Sequence, residues 1–358
     1  MTDVPGLDRA GLTRWLSGAH PDLLGERDGV LTARVVAGGR SNLTYRVDGA
    51  RLPLVLRRPP LGHVLSSAHD MAREHRVISA LADAPVPVPR TVDLVDDTVD
   101  GHVTGTVFFV MEHVAGAVLA RPEQNAGYTS GGLHALGLEL ATTLADLHAV
   151  DPAAVGLADF GRPAGYLERQ LATWRRQYDA SRSREMPALD ALQDALATRL
   201  PAGPRDGRGA IVHGDYRLDN AIVAGPPDAP HVAAVLDWEM ATLGDPLVDL
   251  GMLGLYWDIN AVTDGHGATS AVAPGAGYPG FDEVVDAYAA RSGAALPELG
   301  WYRAFAAYKL AVILEGIHYR FRAGDTVGDG FDRIGELVAP LAADGLAHTS
   351  GTTTGTVA

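Results

Sequence analysis

The chain of 358 residues contains no cysteine, and this absence removes several kinds of chemistry at once. Disulfide bonds, thiolate nucleophiles and thiolate-bound metal ions all require a cysteine sulfur. No apolar run approaches the length of about 20 residues that a membrane-spanning helix needs. The opening stretch MTDVPGLDRAGLTRW has neither the basic region nor the apolar region of a secretory signal. We therefore expect a cytoplasmic protein with no membrane partner.

Basic residues are also scarce. Lys309 is the only lysine, and Lys and Arg together number 29 against 44 Asp and Glu, which gives a formal net charge of -15 at pH 7. Because a nucleic-acid partner requires a basic face to bind its phosphates, this balance argues against nucleic-acid binding. The acidity is compatible with a cationic substrate, although it also simply keeps a protein soluble. Any cation that contacts phosphates in the N-terminal half must be Arg or His.

The densest polar chemistry lies in the stretch 211–251, which contains IVHGDYRLDNAIV and VLDWEMATLGDPLVDLG. Apolar runs of β type flank His213, Asp215 and Asn220, and a third run ends at Asp237. The Gly/Pro-rich turn GPPDAP between the second and third runs predicts a hairpin. We therefore expect Asp215, Asn220 and Asp237 to lie close together.

Two carboxylates and an amide in this order suit phosphoryl transfer. One carboxylate would accept the proton of the nucleophile, while the amide oxygen and the second carboxylate would hold Mg²⁺ on the phosphates. Two other interpretations remain. The residues could be turn formers and caps, since Asp, Asn and Gly favour turns. They could also form a hydrolytic metal site of His213, Asp215 and Asp237, although zinc and two-metal centres usually recruit more histidines.

Three runs with strand-like alternation, at residues 31–39, 41–49 and 51–60, predict three antiparallel strands in the N-terminal half. The turn between the first two contains Gly38 and Gly39, which permit close approach of backbone N–H groups to an anion, although the same turn would serve an ordinary hairpin. On the third strand, alternation places Val55 and Arg57 on one face and Arg58 on the other.

The segment 67–83 has the period of a helix and places Glu74 on the same face as Met71 and Ile78. A carboxylate on a buried stripe is costly unless it is paired. We expect Arg57 on the preceding strand to be its partner; the alternative is a tolerated glutamate at the edge of the stripe.

The motif HGDxxxxN, the strand that ends in DWE, and GDPxxDL together resemble the aminoglycoside phosphotransferase (choline-kinase-like) family. The resemblance implies an α+β, bilobal, protein-kinase-like fold with a small antiparallel-sheet N-lobe and a mainly helical C-lobe. It makes Asp215 the catalytic base, with His213 supporting the loop, and Asn220 and Asp237 the Mg²⁺ ligands. It also implies that Asp249 braces the backbone of the catalytic loop.

The resemblance further implies an ATP site in the N-terminal half, with GTP as the alternative nucleotide. The glycine turn would be the nucleotide loop, although it departs from the GxGxxG of protein kinases. Arg57 would contact the phosphates in place of the usual lysine, with Arg58 as the alternative. The residues assigned to nucleotide binding in this way are Gly38, Gly39, Ser41, Asn42, Val55, Arg57, Glu74, Met111, Glu112 and Val114.

By the same resemblance the chain divides into an N-terminal helical extension (1–29), a nucleotide-binding N-lobe and hinge (30–115), a catalytic and substrate-binding C-lobe (116–344) and a disordered tail (345–358). The stretches GGxSNLTYxV, VLRRPP and AHDMxREHRV look most like the family branch that is fused to acyl-CoA dehydrogenases and associated with hydroxy acids or hydroxyacyl-CoA.

The expected function is transfer of the γ-phosphoryl group of Mg-ATP to a hydroxyl of a small molecule, either aminoglycoside-like or a hydroxy acid or hydroxyacyl-CoA. The short link 238–243 leaves no room for a protein-kinase activation loop, which disfavours a protein substrate. The alternative is a nucleotide-binding pseudokinase or regulatory module. The sequence indicates no oligomeric state.

Overall fold

The computed structural model describes residues 4–24, 31–36, 42–61, 70–203, 209–265, 270–324 and 331–350. The chain forms two compact units. The first comprises Met1–Ala115 and Ala233–Glu239, and the second comprises Gly116–Val232 and Met240–Ala358.

The first unit contains a five-stranded antiparallel sheet in the order β1-β2-β3-β5-β4. Its strands are β1 (Thr32–Val35), β2 (Leu43–Asp48), β3 (Leu54–Arg58), β4 (Thr91–Asp96) and β5 (Val107–Glu112). Its helices are α1 (Arg9–Ala19) and α2 (Met71–Ala80). The three strands predicted for the N-terminal half are confirmed as β1, β2 and β3.

The core of the first unit follows from alternation along β2 and from the apolar side of α1. Tyr45 and Val47 point inward from β2, and Leu12 and Leu16 are buried from α1. Gly11 lies so close to the chain that an added Cβ would be 1.6 Å from the carbonyl oxygen of His102. Only glycine therefore allows α1 to pack at this distance.

Strand β3 is buried along its whole length, as expected for the middle strand of a covered sheet. Val55 lies directly opposite Met111 of β5, and Arg57 lies opposite Phe109. Val55, Arg57 and Met111 consequently share one face of the sheet.

The second unit is mainly helical. Its helices are α3 (Ser130–Ala149), α4 (Tyr166–Ser181), α5 (Pro187–Thr198), α6 (Leu247–Val262), α7 (Phe281–Ser292), α8 (Gly300–Ala323) and α9 (Val338–Thr349). Its strands are short: β6 (Ala210–Val212) pairs with β9 (Thr242–Gly244), and β7 (Ala221–Ala224) pairs with β8 (His231–Val235), through which the chain passes into the first unit. Within the described ranges, no helix is both long enough and apolar enough to cross a membrane.

Three elements depart from the sequence expectations. Strand β4 and helix α5 were not predicted. The disordered tail was expected to begin at Gly345, but Gly345–Thr349 belongs to α9, so this part of the prediction is wrong. Val338, Leu341, Ala342 and Gly345 form a buried helical stripe, and a Cβ at Gly345 would be 2.6 Å from Leu192. The small residues at these positions allow close helix packing. Residues 351–358 lie outside the described ranges.

A single carboxylate organises the loop between β4 and β5. Asp97, which is 5% exposed, accepts hydrogen bonds from four consecutive backbone N–H groups, those of His102 (2.9 Å), Val103 (2.9 Å), Thr104 (2.6 Å) and Gly105 (2.8 Å). Burial acts to raise the pKa of Asp97, but these N–H groups outweigh it and hold the pKa below the ordinary value of 3.8. The folded state therefore stabilises the ionised form of Asp97.

We expect Asp97→Asn to lower the free energy of unfolding by about 2 kcal/mol, because the amide accepts fewer of these bonds and adds a buried donor. Since the folded pKa lies below the unfolded one, the ionised Asp97 stabilises the fold at neutral pH, and this contribution is lost as pH falls from about 4 through the folded pKa. Urea unfolding of both proteins from neutral pH to about pH 3 measures this. Equal pH dependence in the two proteins would contradict the assignment.

Candidate active site

In the first unit, Arg57 on β3 contacts two carboxylates. Its Nη1 lies 3.2 Å from Oε1 of Glu74 on α2, and its Nη2 donates to Oδ1 of Asp237 at 3.1 Å. Glu74 is 1% exposed and Arg57 is 9% exposed, whereas the Asp237 side chain is 34% exposed. The ion pair that the sequence predicted between Arg57 and Glu74 is therefore present, and Asp237 shares the same guanidinium.

Three carboxylates, those of Glu74, Asp237 and Glu239, act on the pKa of Arg57. Burial raises the pKa of Glu74 to about 7, against the lowering effect of Arg57 and with a further rise from Asp237 and Glu239. Burial also acts to lower the pKa of Arg57, but the neighbouring carboxylates outweigh it and the pKa is raised, so the guanidinium stays charged. A further positive charge near these carboxylates would stabilise their ionised forms.

Asp237 follows β8 in an uncommon backbone conformation. Its φ of 66° lies in the left-handed region, which costs about 1–3 kcal/mol for a residue other than glycine, although Asp tolerates it better than most. The turn is anchored by Trp238, which is fully buried and donates from Nε1 to the carbonyl of Val235 at 2.9 Å. The fold therefore fixes the direction of the Asp237 carboxylate at an energetic cost, as is common at functional sites.

Arg57 and Arg58 have different surroundings. Arg58 donates to three backbone carbonyls, those of Pro59 (3.0 Å), Gly6 (2.7 Å) and Thr104 (3.0 Å). Arg57, on the opposite face of β3, meets carboxylates, and its buried Nε–H has no hydrogen-bond acceptor among the described residues. Of the two arginines, Arg57 is the one with a donor that an added anion could satisfy.

Only some of the other residues assigned to nucleotide binding lie within the described ranges. Asn42 is 2% exposed and donates from Nδ2 to Oε2 of Glu239 at 2.9 Å. At the end of β5, the N–H groups of Glu112 and His113 donate to the carbonyls of Arg90 and Pro53 at 2.8 and 2.9 Å, just before Val114. Gly38, Gly39 and Ser41 lie outside the described residues.

In the second unit, a buried aspartate holds the loop that follows β6. Asp249, in the first turn of α6 and 0% exposed, accepts from the N–H of His213 at 2.7 Å and from the N–H of Gly214 at 2.8 Å, and its Oδ2 lies 3.2 Å from Nε2 of His148. Burial acts to raise the pKa of Asp249, but His148 and these loop contacts outweigh it and lower the pKa. Asp249 is therefore ionised and braces the loop, as the sequence resemblance implied.

The conformation of this loop depends on the two residues before Asp215, which are His213 and Gly214. Gly214 has a φ of 86°, and a Cβ there would be 2.8 Å from the carbonyl oxygen of Met240. His213 is completely buried, and its Nδ1 accepts the N–H of Asp215 at 3.2 Å. This position supports the loop from behind, so it suits His213 as a positioning group and leaves it no route to a substrate.

Asp215 is held at one of its two carboxylate oxygens. Asn220 donates from Nδ2 to the carbonyl of Asp215 at 2.9 Å and to its Oδ2 at 3.0 Å. Arg217 donates from Nε to the same Oδ2 at 3.2 Å, contacts Asp219 at 2.7 Å and lies 4.4 Å over the Tyr256 ring. Among the described residues, both of these side-chain hydrogen bonds go to Oδ2 and none is recorded at Oδ1.

Arg217 was not identified from the sequence. Its position two residues after Asp215, within a loop rich in carboxylates, is the signal that could have revealed it. The sequence did identify His213, Asp215 and Asn220, and the structure brings these three together in the second unit.

The side-chain oxygens of Asn220 in the second unit and of Asp237 in the first unit are each of the kind that Mg²⁺ prefers. Because Nδ2 of Asn220 faces Asp215, its Oδ1 is directed elsewhere, and the Asp237 carboxylate is partly exposed. Mg²⁺ usually takes one or two protein oxygens together with phosphate oxygens and water. Within the described ranges, no three or more His, Asp and Glu side chains are grouped around a possible metal position, and the buried His213 already accepts the N–H of Asp215.

A five-stranded antiparallel sheet followed by a mainly helical region, with a braced HGDxxxxN loop, defines a kinase-like phosphotransferase. Comparison of the sequence with known families gives the same class, since residues 32–305 match the APH phosphotransferase enzyme family. This chain belongs to that family.

Two similar proteins cover nearly the whole chain. Acyl-CoA dehydrogenase family member 11 of Gallus gallus is 35% identical over 346 residues, which is 95% of this chain but 43% of that protein. The chain therefore spans less than half the length of this curated relative. A crystal structure from Ralstonia eutropha JMP134, described as a candidate aminoglycoside phosphotransferase, has a TM-score of 0.80 and 31% identity and covers 96% of this chain and 99% of its own.

More distant structures show the same fold. A 2″-aminoglycoside phosphotransferase in complex with GDP and kanamycin has a TM-score of 0.59 and 18% identity, with 93% of this chain and 97% of that chain covered. An aminoglycoside phosphotransferase of type APH(4)-Ia, in a ternary complex with AMP-PNP and hygromycin B, has a TM-score of 0.60 and 14% identity, with 97% and 99% covered. At these identities the likeness establishes the kinase-like fold.

We expect Asp249→Asn to lower the free energy of unfolding by about 3 kcal/mol, because it leaves buried N–H groups without an ionised acceptor. The matched control is Asp146→Asn on α3, whose partner Arg291 has a side chain that is 53% exposed, and which should cost less than about 1 kcal/mol. Chemical denaturation of the three proteins at neutral pH measures both effects. If the two variants lost equal stability, the bracing role of Asp249 would be refuted.

Proposed function

We propose that this chain is an ATP-dependent small-molecule kinase that transfers the γ-phosphoryl group of Mg-ATP to a substrate hydroxyl. The observation that carries the proposal is the environment of Asp215: its loop is fixed by the buried Asp249, and its carboxylate is held at Oδ2 while Oδ1 is left for a reacting group.

In this proposal the first unit binds the nucleotide. Val55 and Met111, which are neighbours on β3 and β5, would cover the adenine, and the backbone of the segment 112–114 would hydrogen-bond its edge. Arg57, oriented by Glu74, would hold the phosphates and satisfy its buried Nε–H there. The residues 38, 39, 41 and 42 would form the phosphate loop. ATP is the proposed donor, and GTP is an alternative because one fold relative is described with GDP.

Asn220 and Asp237 are the proposed Mg²⁺ ligands. Mg²⁺ supplies neutralisation of the phosphate charge that develops during phosphoryl transfer. The carboxylates of Glu74, Asp237 and Glu239 near Arg57 support a divalent cation close to Asp237.

Asp215 would act on the acceptor. Its Oδ1 would accept a hydrogen bond from the substrate hydroxyl, orient the oxygen toward the γ-phosphorus and take the proton as the P–O bond forms. Asn220 and Arg217 would keep the carboxylate in place through Oδ2. Because phosphoryl transfer depends mainly on positioning and charge neutralisation, these contacts supply what the reaction needs from the protein.

The acceptor class that we propose first is a hydroxy acid or hydroxyacyl-CoA. The support is the 35% identity to a protein named for acyl-CoA dehydrogenase, against 18% or less to the structures described with kanamycin or hygromycin B. Arg320 and Arg322 are exposed near the end of α8, and Glu315 is fully buried against Arg184. The proposal assigns no role to these three residues. Use of ATP as donor is consistent with the proposed cytoplasmic location.

Asp215→Asn should lower turnover by about 1,000-fold or more, because the amide cannot accept the hydroxyl proton, while nucleotide affinity should change by less than about threefold. ADP release measures turnover, and calorimetric titration with Mg-ATP measures binding. Asp219→Asn, which alters another partner of Arg217, is the control and should retain most activity. Turnover that survives in Asp215→Asn would remove Asp215 as the base.

An acceptor panel separates the proposed substrate classes. We expect ADP release to be stimulated by hydroxy acids or hydroxyacyl-CoAs and less by aminoglycosides, macrolides and choline-like alcohols. The phosphorylated product should be confirmed by mass spectrometry. Preferential phosphorylation of an aminoglycoside would overturn the proposed acceptor class, and Mg-ATP binding without turnover on any acceptor would favour a regulatory nucleotide-binding module.

A further inference from the structure

The only lysine of the chain lies in the core of the second unit. Lys309 is near the middle of α8 and is 5% exposed. Its Nζ donates to the carbonyl of Gly214 at 2.5 Å, lies 3.8 Å from Sδ of Met240 and lies 5.5 Å from the centre of the Trp174 ring. A buried ammonium is costly unless it is paired, so this position requires an explanation.

Nearby carboxylates offset part of the cost of burying this ammonium group. Burial lowers the pKa of Lys309, and Arg217 lowers it further, whereas the carboxylates of Asp215 and Asp249 oppose the change. Asp249 is ionised inside the same unit, where water cannot screen it. The ammonium therefore offsets part of the negative charge that the braced loop brings into the core.

Lys309 completes the set of contacts that fix the loop. Asp249 binds the N–H groups of His213 and Gly214, and His213 binds the N–H of Asp215. The carbonyl of Gly214 belongs to the peptide group that joins it to Asp215, and Lys309 is its hydrogen-bond donor. Since glycine rotates more freely than any other residue, this peptide group would turn more easily without Lys309.

We propose that Lys309 is a positioning residue for phosphoryl transfer, which fixes the Gly214–Asp215 peptide group and thereby the direction in which Asp215 presents Oδ1. This inference rests on the proposed function, because Asp215 matters in this way only if it is the base. Lys309 does not contact the reacting atoms. Its effect is on kcat, through the orientation of a group that must be placed within a fraction of an ångström.

The first test compares Lys309→Met, which keeps the apolar stem and removes the donor and the charge, with Lys309→Arg, which restores both. We expect Lys309→Met to lower kcat by about 10- to 100-fold with the KM for ATP changed by less than about threefold, and Lys309→Arg to recover most of the loss. A kcat for Lys309→Met within twofold of the wild-type value overturns the proposal. If Lys309→Met does not fold, the ¹⁵N measurement described below, made on the wild-type protein and on Asp215→Asn, decides the proposal.

The matched control is the neighbouring residue on the same helix. Tyr308 is 0% exposed and donates from its hydroxyl to Oε1 of Gln193 at 2.6 Å, so Tyr308→Phe also removes one buried hydrogen bond from α8. Thermal unfolding gives the stability lost by each variant. The proposal expects Tyr308→Phe to keep the wild-type kcat; if kcat fell in both variants in proportion to lost stability, Lys309 would be merely structural.

The second test does not require turnover. Because Lys309 is the only lysine, growth with ¹⁵N-lysine gives one labelled side chain, and its Nζ signal can be followed directly by NMR. We expect a slowly exchanging ammonium signal that shifts in Asp215→Asn and is unchanged in Tyr308→Phe. A signal typical of a solvent-exposed lysine, unaffected by Asp215→Asn, overturns the inference. If the chain phosphorylates no acceptor, the proposed function fails, while this signal still decides whether Lys309 and Asp215 are coupled.

Discussion

The arrangement of the second unit depends on one buried carboxylate. Asp249 is stabilised by two backbone N–H groups, by His148 and by its place in the first turn of α6, where the helix dipole favours negative charge. This arrangement converts a short loop, which would otherwise be mobile, into a part of the helical core. The helices α3 and α6 supply the contacts, so the rigidity of the loop follows from their packing.

In the first unit, the central contacts are made by a cation, Arg57, between two carboxylates. Lysine would present one compact charge at this position, whereas the planar guanidinium of Arg57 contacts Glu74 through one nitrogen and Asp237 through another. Arg58, the next residue, is satisfied by backbone carbonyls on the opposite face of the strand. Because successive side chains of β3 point to opposite faces of the sheet, the two adjacent arginines contact different groups.

Local patterns predicted much of this arrangement. The apolar face of α2 predicted a buried Glu74 and its partner Arg57, and the strand period predicted β1 to β3. What the sequence could not predict depends on tertiary contacts: β4 forms because it pairs with β5, and α9 forms because small residues allow it to pack against α5 and α8. Lys309 was visible as the only lysine, but no local pattern indicates which carbonyl a buried ammonium will meet. The left-handed backbone of Asp237 was equally hidden, since aspartate is not the residue that signals it.

Because Glu74 and Asp237 both contact Arg57, substitutions at these three positions are not independent. A substitution at Arg57 leaves Glu74 buried without its cationic partner, and a neutral residue at Glu74 leaves Asp237 as the remaining carboxylate in contact with the guanidinium. A substitution at either Arg57 or Glu74 alone would therefore change the contacts of the Asp237 carboxylate, which follows β8. Among homologues, we expect these three positions, on a strand, a helix and a distant turn, to be conserved or exchanged as a group.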